Sequence, residues 1–571
     1  MADESTFYLG LHAGHDANVC VMDNQGIVLF AAGEERFNRK KMYAGFPEQA
    51  LGYALTTFGK RFECLATPRM DTLSKVLREI GFLWHSMRNG LAAPRFGIWF
   101  TKGLSKLFQG RSLERGTENF LPVLENSLVN VEHHHAHAAS AFYPSGFQKA
   151  YVMTLDGEGD GFSCCIYQAE GNQLNRLAKF YHNDVTIGRD YEKVTAMLGF
   201  HPLRHPGKIT GLAAFGQFNQ ECIETLLTYL KKSWHIDRHR VLSSKNAYQI
   251  ISNEGKKSLI RDRDEIFKSF SDQDIAYAIQ YITEHKVIDI IRRWIPNTHK
   301  ANIVLAGGVF ANVALNKKIK ELGFNNIFVQ PAMTDAGLSL GSILYHMAAY
   351  NAIVPFNHVF FGPSYSTDEI KSTLEAKGID YKSPKNPEKE TARLLAQGKV
   401  VARFDGRMEF GPRALGNRSI LYQASDVTVN DWLNKKLQRT EFMPFAPVTL
   451  ERFAEQCYRG YRGAERAAKY MTITFDCTEQ MSTECPAVVH VDGTARPQII
   501  NKEDNPGYNQ ILEEYFTLTG IPTLINTSFN MHEEPIVMTP EDAIRAFQAS
   551  QLDALLIGPY IIINKQATQN I

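Results

Sequence analysis

AYVMTLDGEGDGFSCCIYQAEGNQLNRLAKFY, residues 150–181, is the stretch on which the fold turns. Its first run is apolar and β-prone and leads into a Gly/Asp loop, Asp156-Gly157-Glu158-Gly159-Asp160-Gly161. FSCCIYQ follows as a second strand, Glu170-Gly171-Asn172 as a turn, and QLNRLAKFY as a third strand. Short β-rich runs separated by Gly, Asn and Asp mark consecutive antiparallel strands. The same order stands at the start of the chain: FYLGLHAG, ANVCVMD, a turn at Asn24-Gln25-Gly26, then IVLFAAGEE.

Two copies of strand–loop–hairpin, too far apart for a solenoid repeat, suggest two related lobes. That is the plan of the actin/hexokinase-like (ASKHA) ATPases, which bind nucleotide in the cleft between lobes. Further along, Ile275, Ile279, Ile282, Ile288 and Ile291 recur close to helical spacing and predict a helix over 272–294, with Asp272 or Asp274 as its start signal. NIVLAGG then reads as a buried strand, VFANVALNKKIKELG as a helix and NNIFVQP as a strand. TDAGLSLGSILYHMAAY reads as a helix opening on a small-residue turn. A turn-rich segment from Asn351 to Pro363 predicts a boundary, dividing the chain into domains 1–352 and 353–571. The second part is again α/β: helices near 366–378 and 389–398, strands at KVVARFDG, PTLIN and ALLIGPYIII, and a helix led by Pro540.

The 571 residues exceed one hydrophobic core. With 62 Lys plus Arg against 61 Asp plus Glu, the net charge of +1 provides no overall field for nucleic acid or an anionic membrane. No run approaches the ~20 apolar residues of a membrane span. The opening MADESTFYLGLHAGHD lacks the basic and apolar regions of a secretory signal. The eight cysteines form no CxxC pair and read as buried free thiols of a cytoplasmic protein.

Six segments could carry chemistry. In His133-His134-His135-Ala136-His137, a helix would put His133 and His137 on one face, as two ligands of one metal ion; a surface histidine cluster is the alternative. A carboxylate is the expected third ligand, and Asp335, before a helix, is one candidate. The glycines of LAGGVFAN and of the 156–161 loop allow close backbone approach to an anion, and the loop carboxylates could orient hydroxyls or magnesium; tight packing would use the same glycines. FDGRMEFGPRALGNRSIL sets Arg407, Arg413 and Arg418 among glycines, suited to phosphate or carboxylate. HVDGTARPQ offers Arg496. LINTSFNMHEEPI offers Ser528 with Asn526, Thr527 and Asn530 around it, a phosphate or ribose grip or simply a turn. No GxxxxGK[ST] loop, GxSxG elbow or HExxH motif competes.

Taken in order, HDANVCVMDNQGIVLFAAGEERFNRKK, HHHAHAASAFYPSGF, GKITGLAAFG, LAGGVFANVALN, TDAGLSLG, EFGPRALGNRSIL, MPFAP, HVDGTARPQ and NTSFN resemble the O-carbamoyltransferase family of nodulation proteins and of the tobramycin and cephem carbamoyltransferases. The resemblance spans nearly the whole chain. It implies an N-terminal duplicated actin-like domain that transfers the carbamoyl group, similar to the metal-containing ATPase of threonylcarbamoyl-adenosine synthesis. It also implies a C-terminal YrdC-like domain that turns carbamoyl phosphate and ATP, with Mg2+, into carbamoyl-adenylate. An acceptor hydroxyl on a small molecule then takes the carbamoyl group. By the same resemblance His133, His137 and Asp335 hold a metal ion, iron(II) or alternatively zinc, and His15 and Asp16 lie near the acceptor. A catalytic base must take the hydroxyl proton, and His15 has the suitable intrinsic pKa, with Asp16 as its rival and a loop-orienting role for His15 as the alternative. Arg39, Lys40, Asp156, Gly307, Gly308 and Asn312 meet the nucleotide or adenylate, and Arg413, Arg418, Arg496 and Ser528 hold carbamoyl phosphate and ATP.

One departure matters. The antibiotic branch often reads KxRExFRPFAP, whereas KKLQRTEFMPFAP here puts Leu437 and Met443 at the Lys and Arg positions. Either Lys436 and Arg439 take over, or anion binding is rearranged. Rivals are a tRNA-modifying threonylcarbamoyl transferase, which needs a nucleic-acid surface, and a non-catalytic nucleotide-binding protein of actin-like fold. A hydrogenase-maturation carbamoyltransferase would carry CxxC zinc fingers, and none are present. The acceptor's identity and a homodimer are not legible in the sequence.

Overall fold

Two five-stranded sheets share one topology. In the first, β1 (Phe7–His12), β2 (Asn18–Asp23), β3 (Val28–Gly33), β4 (Cys64–Pro68) and β5 (Ser127–Val131) run in the order β3-β2-β1-β4-β5. In the second, β6 (Lys149–Gly159), β7 (Phe162–Glu170), β8 (Gln173–Tyr181), β9 (Asn302–Ala306) and β10 (Asn326–Val329) run β8-β7-β6-β9-β10. Three antiparallel strands are followed by two parallel ones in each. The chain therefore has the duplicated actin/hexokinase-like architecture that its two hairpins predict. These features come from a computed structural model, which describes residues 6–59, 62–68, 127–181, 184–238, 253–350, 354–438 and 443–565.

Between the sheets lie the helices His133–Ser145 and Leu338–Met347, packed on each other, the first against β6 and β9 and the second against β1 and β4. Glycines permit this approach. A Cβ at Gly341 would stand 1.9 Å from Ala136 O, and one at Gly10 would stand 2.1 Å from Ser339 O. Backbone on both sides leaves no flexible atom to yield, so Gly341→Ala is expected to destabilise the fold by about 1–3 kcal/mol, read as a lowered urea midpoint.

The C-terminal part is a seven-stranded mixed sheet, β17-β13-β18-β12-β11-β19-β20. Its strands are β11 (Val401–Phe404), β12 (Arg418–Gln423), β13 (Ala446–Leu450), β17 (Gln498–Ile500), β18 (Thr523–Ser528), β19 (Ala554–Ile557) and β20 (Tyr560–Ile563). A small sheet of β14 (Tyr458–Arg459), β15 (Phe475–Cys477) and β16 (Thr494–Ala495) accompanies it. Alternate residues serve opposite faces, as the two-residue period requires. Leu556 and Val401 meet the helices Pro387–Ala396 and Pro506–Thr519, while Leu555 and Ala402 face the largest hydrophobic cluster.

That cluster does not stop at the predicted boundary. It joins Leu155, Leu305 and Val329 to Ile473 and Phe475, and Ile327 N donates to Gly463 O at 2.8 Å. Residues 351–353, which hold the boundary itself, lie outside the described residues.

Four local expectations are corrected. ALLIGPYIII is a hairpin, not one strand, because Gly558 turns at φ +54° and Ile557 pairs with Tyr560. The Gly/Asp loop is an extension of β6 to Gly159, bulged after Leu155. VFANVALNKKIKELG breaks into a 3-10 turn, Gly308–Ala311, and a helix, Val313–Lys320, because the Asn312 side chain caps the latter by accepting from Leu315 N. The Asp272–Trp294 helix starts on Ser271, whose hydroxyl accepts from Asp274 N. All eight cysteines are free and buried. Among the described residues no helix is long and apolar enough to cross a membrane.

Candidate active site

The His133–Ser145 helix is buried along nearly its whole length, so its histidines cannot form a solvated run. Its first amide is capped from the neighbouring hairpin: His133 N donates to Asp160 Oδ2 at 2.9 Å. His134 turns away to Thr154 Oγ1 (2.8 Å) and Phe162 O (3.1 Å), and burial followed by the adjacent His133 and His137 pushes its pKa down to about 3. His133 and His137 bring their Nε2 atoms 3.0 Å apart. Asp156 Oδ2 lies 3.1 Å from His137 Nε2 and 3.8 Å from His133 Nε2, and Asp335 Oδ1 lies 3.3 and 3.6 Å away from them. The four ligand atoms fall within 4.8 Å of one another. Asp156, expected at the nucleotide, thus stands beside His133, His137 and Asp335. A Cβ at Gly159 would strike His133 Cδ2 at 2.1 Å, so the glycine lets the ring in.

Two imidazoles and two carboxylates suit a first-row divalent ion, and the side chains fit one. Asp335 Oδ1 is buried without a properly aligned hydrogen bond. Burial pulls the His137 imidazole down, yet its hydrogen bond to Asp156 and the adjacent Asp335 carboxylate outweigh it and lift its pKa to about 9. Burial likewise opposes the Asp156 charge, but the two histidines hold its carboxyl well below the usual range. The cluster therefore draws in positive charge. A cation must displace the His137 proton, so its affinity is expected to fall as pH drops below about 9, by about tenfold per unit for one proton. Calorimetric titration of the metal-free protein with Zn2+ across the acid-to-neutral range checks this.

The His15–Asp16 loop abuts the cluster. Asp16, at φ +55°, accepts from Thr334 Oγ1 at 2.8 Å and stands 3.4 Å from His15 Nδ1. Asn18 ties this loop to the Asp335 turn: its Nδ2 donates to Asp16 O (2.7 Å) and Asp335 O (2.9 Å). Buried His12 lies 2.9 Å from His15 O and 3.9 Å from Asp335 Oδ2. Sequence reasoning missed both, although a polar residue within each apolar strand, β1 and β2, was the signal. Burial lowers the His15 pKa, but Asp16 more than reverses it, to about 9. The ring is thus a proton donor at neutral pH unless a cation in the cluster repels its proton. Glu192, unremarked in the sequence, faces the Asp156–Gly157 backbone, and burial raises its pKa to about 7, suited to proton transfer.

A cavity of about 450 Å³ is lined both by Asp16 and Thr334 of the N-terminal part and by Arg413, Arg496 and Ser528 of the C-terminal part. Burial lowers the pKa of both arginines, that of Arg496 to about 10, and the Arg496 charge lowers Arg413 further. Among the described residues no carboxylate lies within ion-pairing distance of either, and each Nε is buried without a partner. The loop bearing Arg413 is organised by Glu409, whose Oε1 accepts from Leu415 N, Asn417 N and Arg418 N at 2.8–3.0 Å.

Residues 100–344 match the family described as carbamoyltransferase N-terminus, and residues 392–564 match carbamoyltransferase C-terminus. Nodulation protein NolNO of Sinorhizobium fredii is 31% identical, over 97% of this chain and 80% of that protein. The chain belongs to the carbamoyltransferase family. An uncharacterised protein of Methanocaldococcus jannaschii, MJ1051, is 32% identical to this carbamoyltransferase over 97% of the chain and 99% of its own length. Among solved structures, component A of the Acidaminococcus fermentans (R)-2-hydroxyglutaryl-CoA dehydratase aligns with 60% of this chain and 100% of its own at a TM-score of 0.34 and 13% identity. Full-length HypF, bound to phosphate and nucleotide, aligns with 60% of this chain and 55% of its own at 0.29 and 16%.

Other expected ligands of the carbamoyltransferase lie elsewhere. Arg39 donates to Pro535 O (2.7 Å) and Ile536 O (2.8 Å) and pairs with Asp542 at 3.5 Å, tying the N-terminal part to the C-terminal loop. Lys40 is exposed, and Lys41 lines the cavity instead. Gly307, at φ +105°, packs on Leu155 O, and Gly308 abuts Asp156, where an added Cβ would stand 3.1 Å from Oδ1. The Asn312 amide is spent on its cap and on Gln280, 2.7 Å away. Arg418 is fully buried, bonded to Asp405 O, Gly406 O and Asn417 O and stacked on Phe404 at 3.8 Å, so it braces the loop rather than facing the cavity. Lys436 reaches Gln551 O at 3.3 Å, away from the cavity, because its helix buries Leu437 instead. Arg439 lies outside the described residues. Met443 does line the cavity, seated in the space that Gly211 leaves open, and Arg204 and Lys208 bring cations from the N-terminal part.

Proposed function

We propose that this enzyme is an ATP-dependent O-carbamoyltransferase acting on a hydroxyl of a small molecule. What carries the reading is one cavity lined both by Asp16 and by Arg413 and Arg496, which have no carboxylate partner among the described residues. Carbamoyl phosphate and water yield carbamate and phosphate. A carbamate oxygen then attacks the α-phosphorus of ATP, forming carbamoyl-adenylate and expelling pyrophosphate. Arg413, Arg496 and Ser528 hold the phosphates of this step in the domain formed by 353–571, where buried guanidinium groups act strongly. The acceptor oxygen finally attacks the carbamoyl carbon, releasing AMP and a proton.

A divalent ion, iron or zinc, held by His133, His137 and Asp335 with Asp156 beside them, would polarise the carbamoyl carbonyl in the 1–352 domain. His15 and Asp16 orient the acceptor hydroxyl, and its proton passes to this pair or to Glu192. Passage of the hydrolysable intermediate within one protein, between the arginines and the Asp16 loop, would limit its loss to bulk water.

Incubation with MgATP and carbamoyl phosphate, without acceptor, is expected to produce pyrophosphate and carbamoyl-adenylate, detected by mass spectrometry. ATP binding without either product would overturn the reading.

A further inference from the structure

Asn526 lies on β18, opposite Leu421 on β12 and Ala446 on β13. It is 1% exposed and lines the cavity with Arg413, Arg496 and Ser528. Two acceptors orient its amide: Nδ2 donates to Ala414 O at 3.1 Å and to Gln498 Oε1 at 2.7 Å. Gln498 is fixed in turn, because its Nε2 donates to Leu415 O at 2.9 Å. Flipping Asn526 would aim an oxygen at two oxygens, and flipping Gln498 would do the same at Leu415 O. The nitrogen is therefore committed to the wall. Among the described residues Oδ1 is left buried with no hydrogen-bond partner, an arrangement native proteins rarely leave without a use.

The two arginines in this wall are cationic donors and answer an anion. Oδ1 cannot bind an anion and requires an N–H or O–H. In a ligand that is both, the phosphate goes to the arginines and a separate donor goes to Oδ1. Carbamoyl phosphate has one such donor away from its phosphate, the NH2 of the carbamoyl group. We propose that Asn526, held in orientation by Gln498, recognises that NH2 and selects carbamoyl phosphate against other acyl phosphates. This rests on the donor chemistry proposed above. An acetyl donor would set a methyl against the bare Oδ1, and a site built to pair such a group rejects the analogue that lacks it.

The test uses the full chain and three ligands that do not decompose: phosphonoacetamide, which carries the carboxamide; acetonylphosphonate, with methyl in place of NH2; and inorganic phosphate. Calorimetry on the wild type is expected to show the carboxamide bound on the order of tenfold to a hundredfold more tightly than the ketone. In Asn526→Ala that ratio should collapse to within about threefold while phosphate affinity is kept. Gln498→Met, which frees the amide to turn without removing it, should fall between the two. Equal binding of carboxamide and ketone by the wild type would overturn the proposal alone. So would Asn526→Ala weakening all three ligands by one factor, since that marks a structural role. If the wild type binds none of the three, the proposal falls together with the donor reading beneath it. Should Asn526→Ala not fold, the wild-type ratio and Gln498→Met decide.

Discussion

Asp335→Asn is expected to lower metal affinity about a hundredfold or more, and carbamoyl transfer with it, while leaving pyrophosphate release from carbamoyl phosphate and ATP within about twofold. The contrast follows from position. Asp335 Oδ1 faces His133 and His137 at 3.6 and 3.3 Å, whereas Arg413 and Arg496 line the cavity, which this cluster does not. The substitution keeps the side chain's shape, and the contact of Asn18 is to the Asp335 carbonyl, so the His15–Asp16 loop stays in place. In the metal-free protein burial and Asp156 oppose the Asp335 charge, but His133 and His137 outweigh them and hold its carboxyl below the usual range. That charge is therefore stabilising at neutral pH, so metal-free Asp335→Asn should melt lower than metal-free wild type. Metal content by atomic spectroscopy, transfer, pyrophosphate release and melting of the metal-free form read the four outcomes together. Parallel loss of both half-reactions would mean that the cluster supports the fold as a whole rather than the transfer step.

The lobes were legible because each hairpin is local. Residues 7–33 and 150–181 contain their own turns; β8 alternates along its length as an edge strand does, while β6 and β7 are buried in continuous runs because they lie inside the sheet. The parallel partners were legible only as strands, since pairing β9 with β6 joins residues far apart in sequence through a helical crossover. ALLIGPYIII was misread because its apolar run continues through the turn, and Gly558-Pro559 is the sole punctuation. Asn312 drew attention for its glycines, yet its use is as a helix cap, a role that any Asn before a helix can have.

The site was legible where one element carries two ligands. His133 and His137 share a helix, and the four-residue spacing fixes their geometry. Asp156 and Asp335 come from a bulged strand and a 3-10 turn, where spacing says nothing about direction, so the sequence alone did not bring Asp156 to the two histidines. Arginine-rich loops mislead for a related reason. Arg413 and Arg418 sit five residues apart on one loop, but Arg418 begins β12 and points inward, where loop carbonyls and Phe404 satisfy it. The cations of Lys41, Arg204 and Lys208 reach the cavity from outside the C-terminal part, and only tertiary structure unites them with it.

Arg496→Met should carry the opposite signs for stability and function. Arg496 and Arg413 are like charges withdrawn from water, and among the described residues neither has a carboxylate partner. Such a pair is unfavourable in the ligand-free protein, so replacing one by an apolar side chain of similar length should raise ligand-free stability by about 1–4 kcal/mol, seen as a higher urea midpoint. The same change removes half of the charge awaiting an anion. Release of pyrophosphate from carbamoyl phosphate and ATP should fall by about a hundredfold or more, with metal affinity at His133 and His137 unchanged. Inorganic phosphate supplies the link between the two effects. It should stabilise the wild type in proportion to its occupancy and leave Arg496→Met nearly unmoved, because only a ligand that binds the folded state shifts the unfolding equilibrium. A variant that is both less active and less stable would show instead that Arg496 is a structural strut, and the anion site would have to be sought at Lys41, Arg204 and Lys208.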